Sequence, residues 1–208
     1  MKNKIKLVIF DLDGVLIDSK QNMKVSWNAA RKKFNIKQKF KDYFQHVGLP
    51  FNKILDNLLI HKSVHAQIKN NYSRNSLKYI KKIRLYPDTL RTINKLKKNG
   101  IKIAIVTSKD KKRSFKIVKK FKIGIKKIIC PEIGLKGKPF PDQLIKTIKM
   151  FKIDLKNIIY VGDMKVDYYA AKNARIGFVF AGYGYGKKFR IYRKSIANLG
   201  QLLKKLGL

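Results

Sequence analysis

The stretch Leu7–Ser19 reads LVIFDLDGVLIDS. Its first residues close a run, Ile5 to Phe10 (IKLVIF), that is short, apolar and rich in β-branched side chains, which predicts a buried strand rather than a helix. The run stops at Asp11. Asp13 follows two residues on, and Asp18 a little later, in a chain of 208 residues with 12 acidic against 50 basic ones. Asp11 and Asp13 repel each other at a strand end, and a cation opposite them would make the crowding tolerable. A calcium loop does not fit: counting from Asp11, that loop needs glycine sixth and glutamate twelfth, whereas Gly14 is fourth and Asn22 twelfth.

Outward from this segment the chain repeats one pattern. Strand-like runs recur at Ile101–Val106, Ile125–Ile129, Ile158–Val161 and Ile176–Phe180, separated by amphipathic, helix-length segments at Thr89–Lys98, Lys111–Phe121, Pro141–Phe151 and Lys165–Asn173. Alternating strands and helices predict a Rossmann-like, three-layer α/β/α core with a parallel sheet covered on both faces. Ligands of such sheets gather outside the carboxyl ends of the strands. From Ser19 to Arg84 the alternation lapses into helical stretches, among them Asn22–Phe34 and Asn52–Leu59, punctuated by Gly48-Leu49-Pro50. An insertion of this length is too long for a loop and predicts a small α-helical cap domain. The expected division is residues 1–18 and 85–208 as core, and 19–84 as cap, with Pro87 in the first turn of the returning helix.

Composition narrows the function classes. One cysteine, Cys130, excludes a disulfide within the chain; it is compatible with a reducing cytoplasm. The amino-terminal residues are interrupted by carboxylates too soon for a signal peptide, and no apolar run reaches membrane-spanning length, so a soluble, intracellular protein without membrane partners is expected. The formal net charge is +38, yet 42 of the 50 basic residues are lysines scattered along the whole chain. Nucleic-acid binding needs a concentrated basic surface, and the sequence has no basic arm, zinc-ligand set or aromatic RNA-binding signature. The composition leaves the oligomeric state and the cause of the basic bias open.

The residues after the predicted strands share one chemistry. The first strand end supplies Asp11, Asp13 and Gly14, and the second Thr107 and Ser108. Lys136, Gly137 and Lys138 follow the third, and Gly162, Asp163 and Asp167 the fourth. These groups suit a single phosphoryl-transfer site. The four segments FDLDG (Phe10–Gly14), IVTSK (Ile105–Lys109), GKPFPD (Gly137–Asp142) and VGDMKVD (Val161–Asp167) resemble, in order, the motifs of the haloacid dehalogenase-like hydrolases. DLDGVLIDS, KPFPD and the late AGYGYG (Ala181–Gly186) look most like the phosphoglycolate phosphatase branch.

That resemblance implies a Mg²⁺-dependent phosphatase acting on a small phosphorylated metabolite. Asp11 would be the nucleophile that forms an aspartyl-phosphate, and Asp13 the general acid and then base; an acid at this second position belongs to phosphoryl transfer, not dehalogenation. The metal set would be Asp11, the backbone carbonyl of Asp13, and Asp163, with Asp167 orienting metal-bound water. Thr107 and Lys138 would hold the phosphoryl group, with backbone N–H groups of Ser108 and of Gly14 or Leu12. Pro139 selects Lys138 over Lys136 for this role.

Other polar residues carry plainer expectations. Asp18 and Ser19 mark the exit to the cap and suit the cap of its first helix. His46, His61 and His65 lack metal-ligand company. Trp27 and Tyr43 belong to a helix core or to a pocket under the cap, and Tyr183 and Tyr185 to the site's rim. Two rival readings are a β-phosphoglucomutase-like phosphomutase, and a nucleic-acid-binding protein on a phosphatase scaffold.

Overall fold

The computed structural model describes residues 4–187, 192 and 194–208. Strands β1 (Leu7–Phe10), β4 (Lys102–Val106), β5 (Ile128–Ile129), β6 (Ile158–Gly162), β7 (Gly177–Ala181) and β8 (Ser195–Ile196) form one sheet in the order β5-β4-β1-β6-β7-β8, every pair parallel. The other two strands, β2 (Ile17–Asp18) and β3 (Arg84–Leu85), form a separate antiparallel pair.

Strand β1 shows why an uninterrupted apolar run was needed. Val8 and Phe10 face one hydrophobic layer, Leu7 and Ile9 the other, and all four are fully buried. The first layer is completed by Ile93 and Leu96 of α5 (Thr89–Lys98), Ile117 and Val118 of α6 (Lys111–Lys120), and Leu202 and Leu203 of α9 (Gly200–Leu206). On the other face lie Leu144 of α7 (Asp142–Phe151) and Ala170 and Ala171 of α8 (Lys165–Asn173). Helices α5 and α6 link strands on one side of β1, and α8 links β6 to β7 on its other side. Strands β1 and β6 therefore border the point where strand order reverses, the usual ligand crevice of such sheets.

Between β2 and β3 run α1 (Lys20–Phe34), α2 (Phe40–Phe44), α3 (Phe51–Asn57) and α4 (His65–Lys78). They enclose a hydrophobic cluster of their own, built on Trp27, Tyr43, Leu55, Ile68 and Tyr72. Helix α1 ends where Asn35 adopts a left-handed conformation (φ 50°), and Arg31, Lys32 and Lys33 in its last turn oppose the helix dipole.

Several expected boundaries shift. Helix α1 begins at Lys20 instead of Asn22, and α3 spans Phe51–Asn57 instead of Asn52–Leu59. Of Ile125–Ile129, only Ile128 and Ile129 pair with β4. Pro87 is not in the first turn of α5: Asp88, at φ 63°, stands between them as the N-cap residue, because the chain must bend sharply after leaving β3.

Candidate active site

Register brings the first two carboxylates together. Phe10 pairs with Val161, and the Asp11 N–H donates to the Val161 carbonyl at 2.9 Å, so Asp11 leaves β1 beside the end of β6, where Asp163 follows Gly162. Both are buried, as is Asp167 in the first turn of α8. One carboxylate oxygen from each of Asp11, Asp163 and Asp167 lies within 4.8 Å of the other two. Lys138, also buried, places its Nζ 3.0 Å from Asp11 Oδ1 and 2.8 Å from Asp167 Oδ1.

The local fold is shaped around Asp163. Gly14 has φ 81°, and a Cβ there would overlap the Asp163 carboxylate; at Gly186 a Cβ would overlap the Asp163 backbone carbonyl. The glycine-rich turn after β7 thus wraps Asp163, and the Tyr185 N–H donates to its Oδ2 at 2.7 Å. Its Oδ1 is buried without a hydrogen-bond partner among the described residues.

Electrostatics makes the same point. Burial, with the neighbouring charges of Asp167 and Asp13, outweighs Lys138 and pushes the Asp11 carboxyl up to about 7. Burial, then Asp167 and Asp11, holds Asp163 well above the carboxylate range. Lys138 is raised, burial working against its charge and Asp11 and Asp167 prevailing. With all three carboxylates ionised, the one ammonium would leave two negative charges, and Asp163 has an oxygen without a hydrogen-bond partner among the described residues. A hard divalent cation bound by oxygen, as Mg²⁺ is, fits that balance and that donor set.

Asp13 stands apart from this group. Its Oδ1 accepts from the Ser19 hydroxyl and lies 3.1 Å from Lys109 Nζ. Its expected metal contact is through the backbone carbonyl, not this carboxylate. Asp167, expected to orient metal-bound water, is held by several bonds of its own. It pairs with Lys138, accepts from the Tyr160 hydroxyl at 3.0 Å and caps the start of α8 through the Met164 N–H.

Thr107 is buried at the end of β4. The Ser108 side chain reaches across to donate to the Gly48 carbonyl at 2.6 Å, linking the sheet to the helical segment. Asp11, Asp13, Thr107 and Ser108 line a cavity of about 50 Å³ whose opposite wall includes Tyr43, Leu49, Phe51 and Tyr72. Lys136 lies away from it, its N–H bonded to Asp142.

The remaining expectations resolve individually. Trp27 is core, stacked on Tyr43 at 4.6 Å between ring centres, whereas Tyr43 also reaches the cavity. His65 bonds to the Ile60 carbonyl, His46 to Asn57 and His61 to Ser63, all inside the helical segment. Ser19 is the residue before α1, but its hydroxyl caps nothing and turns to Asp13. Asp18 accepts from the Lys20 N–H at 3.0 Å and from the Tyr185 hydroxyl at 3.1 Å. Tyr183 donates to the Val15 carbonyl at 2.9 Å.

Sequence reasoning missed Lys109 and Arg113. Both are buried against the cavity. Lys109 ends the quoted IVTSK segment, which is the one signal that could have found it.

A buried carboxylate at the central strand end, a lysine across from it and an acid-rich loop after the next strand define a hydrolase centre of the α/β class. Residues 8–181 match the family model described as haloacid dehalogenase-like hydrolase, and the chain belongs to that family. A phosphoglycolate phosphatase of Aquifex aeolicus (strain VF5) is 26% identical over 189 residues, covering 88% of this chain and 87% of that protein. One from Pasteurella multocida (strain Pm70) is 28% identical over 198 residues, covering 88% of each. The fold is shared with a crystal structure of a predicted phosphoglycolate phosphatase from Haemophilus somnus 129pt. Its TM-score is 0.87 at 24% identity, with 97% of this chain and 98% of that one covered.

Proposed function

We propose that the chain is a Mg²⁺-dependent phosphatase of the phosphoglycolate phosphatase kind, hydrolysing a small organic phosphate monoester with Asp11 as nucleophile. The observation that carries this reading is the pairing of Asp11 with Lys138 at 3.0 Å beside an Asp163 oxygen that has no hydrogen-bond partner among the described residues. Mg²⁺ held by Asp11, Asp163 and the Asp13 carbonyl would supply positive charge against the phosphoryl oxygens.

The chain's own groups divide the remaining work. An Asp11 oxygen forms a bond to phosphorus as the bond to the ester oxygen breaks, giving an aspartyl-phosphate. Asp13 gives its proton to the departing alkoxide, then takes one from the water that attacks the intermediate and releases inorganic phosphate. Lys138 and the Thr107 hydroxyl hold the phosphoryl oxygens, and the backbone N–H of Ser108 assists. Asp167 keeps Lys138 in place. Residues 19–84 act as a cap over the core formed by 1–18 and 85–208, excluding water during the reaction. Cys130, free and buried, accords with a reducing cytoplasm.

The test is release of inorganic phosphate from a panel of phosphate esters with Mg²⁺ or EDTA, comparing wild type with Asp11→Asn. Turnover that needs both Mg²⁺ and Asp11 is expected. Wild-type turnover no greater than the variant's on every ester would overturn the reading, and an isomerised sugar phosphate in place of free phosphate would assign a mutase.

A further inference from the structure

The chain carries 50 basic residues, and among the described residues the buried ones are Lys109, Arg113 and Lys138. Lysines elsewhere stay in water because burying an uncompensated charge is costly. Two of the three buried cations have catalytic carboxylates as partners: Lys138 holds Asp11 and Lys109 holds Asp13. Arg113 has no such partner in the mechanism, yet it is as deeply placed as Lys109 and lines the same cavity.

Its placement is fixed from two sides. Asp110, the N-cap of α6, accepts from the Arg113 backbone N–H at 3.0 Å and from its Nε. The guanidinium carbon then stands 5.1 Å from the centre of the Tyr72 ring on α4. A guanidinium has five N–H donors: Asp110 takes the one at Nε and the Tyr72 hydroxyl is within reach of another, so the remaining terminal N–H groups are the ones open to an anionic acceptor. Asp110 is not part of the cavity wall, where the acids are Asp11 and Asp13. Both of those have assigned partners. The remainder of the wall around Arg113 is largely apolar and aromatic, including Met23, Val47, Leu49 and Ile54.

We propose that Arg113 is a specificity-determining residue: it binds a second acidic group, carboxylate or phosphate, carried by the substrate's leaving group, while Lys138 and Thr107 hold the phosphoryl group being transferred. This rests on the phosphatase reading and deepens it. A neutral alcohol would add no anion to the one, Asp110, that the guanidinium already holds. The basic bias of the surface plays no part in this selection, since the selecting charge is a buried one held in a fixed direction.

The test compares kcat/KM for phosphoglycolate and for pyrophosphate, each against ethyl phosphate, which is similar in size and lacks a second acidic group. Wild type should favour an acidic substrate over ethyl phosphate, and the ratio should fall roughly 10- to 100-fold in Arg113→Leu, the usual consequence of losing a charged hydrogen-bond donor. Arg113→Lys should recover part of the ratio. Tyr72→Phe, which removes a hydroxyl beside Arg113 and keeps the ring and the charge, should lower the ratio less than Arg113→Leu does. The phosphoglycolate and pyrophosphate arms separate carboxylate from phosphate as the group read. A wild type without preference, or ratios the same in Arg113→Leu as in wild type, would overturn the proposal while phosphatase turnover persists. Absence of turnover on every ester would remove the phosphatase reading itself, and the proposal with it. If Arg113→Leu does not fold, the ratio in Arg113→Lys decides, and an unchanged ratio there counts against the proposal.

Discussion

Lys138 stands closer to Asp167, at 2.8 Å, than to Asp11, at 3.0 Å. The lysine thus balances two carboxylates at once, and its removal leaves them facing each other in a buried site. Lys138→Met should cost about 3–5 kcal/mol at neutral pH in EDTA, the usual range for stranding a buried charge. Mg²⁺ should return part of that loss. Urea denaturation with and without Mg²⁺ measures both, and a loss below about 1 kcal/mol in EDTA would show that Lys138 is not the main counter-charge.

The metal-free protein should lose stability as pH rises. Asp11 is raised from an ordinary 3.8 to about 7, chiefly by burial. A carboxyl raised on folding stabilises the native state most below its unfolded value, and that contribution disappears as pH climbs through its folded value. Asp163 is displaced in the same direction, also chiefly by burial. The EDTA-treated protein should therefore lose more stability between about pH 4 and 7 than the Mg²⁺-loaded protein. Melting temperatures across that range check it, and parallel curves would contradict it.

Tyr185 acts on the site by two separable routes. Its N–H holds Asp163, while its hydroxyl accepts from the Ser19 N–H at 2.6 Å and meets Asp18. Tyr185→Phe keeps the first contact and strands a buried N–H, so a destabilisation of about 1–2 kcal/mol is expected. The Mg²⁺ half-saturation should move by less than about threefold, because a kept backbone bond still fixes Asp163. Chemical denaturation and Mg²⁺ titration of the same sample separate the two effects.

At a formal charge of +38 the folded chain repels itself. Raising KCl from 0.1 to about 1 M shortens the screening length from about 10 to 3 Å and should raise the melting temperature. Phosphate with Mg²⁺ should raise it further than KCl at equal ionic strength, because a bound ligand adds to screening. Scanning fluorimetry at matched ionic strength would show identical curves if no anion site were present.

The sequence made the sheet legible because β1, β4, β6 and β7 are long enough to show their apolar runs. Helices α5 and α8 carry their periodic faces over the same residues as expected. Strands β2, β3 and β8 have two residues each, too few for any periodicity, and exist only because a neighbour pairs with them. Asp11, Asp163, Thr107 and Lys138 could be named from position after a strand and from motif. Lys109 and Arg113 could not be separated from dozens of similar cations, since only tertiary packing decides which are buried. Ser19 and Tyr185 were missed as supports for a different reason: a hydroxyl contact to Asp13 and a backbone contact to Asp163 leave no mark on residue type.

The pairing of Ile17 with Leu85, and of Asp18 with Arg84, sets the chain's departure from the core beside its return. Paired strands lie about 4.8 Å apart, a gap that a tight turn spans as well as a whole folded segment does. Whatever occupies residues 19–83 can therefore be lengthened, shortened or exchanged without disturbing the order of the sheet or the register that brings Asp11 to Asp163. Such a layout would let one wall of the cavity diverge among relatives while the groups carried by the sheet and its helices, Arg113 of α6 among them, stay in place.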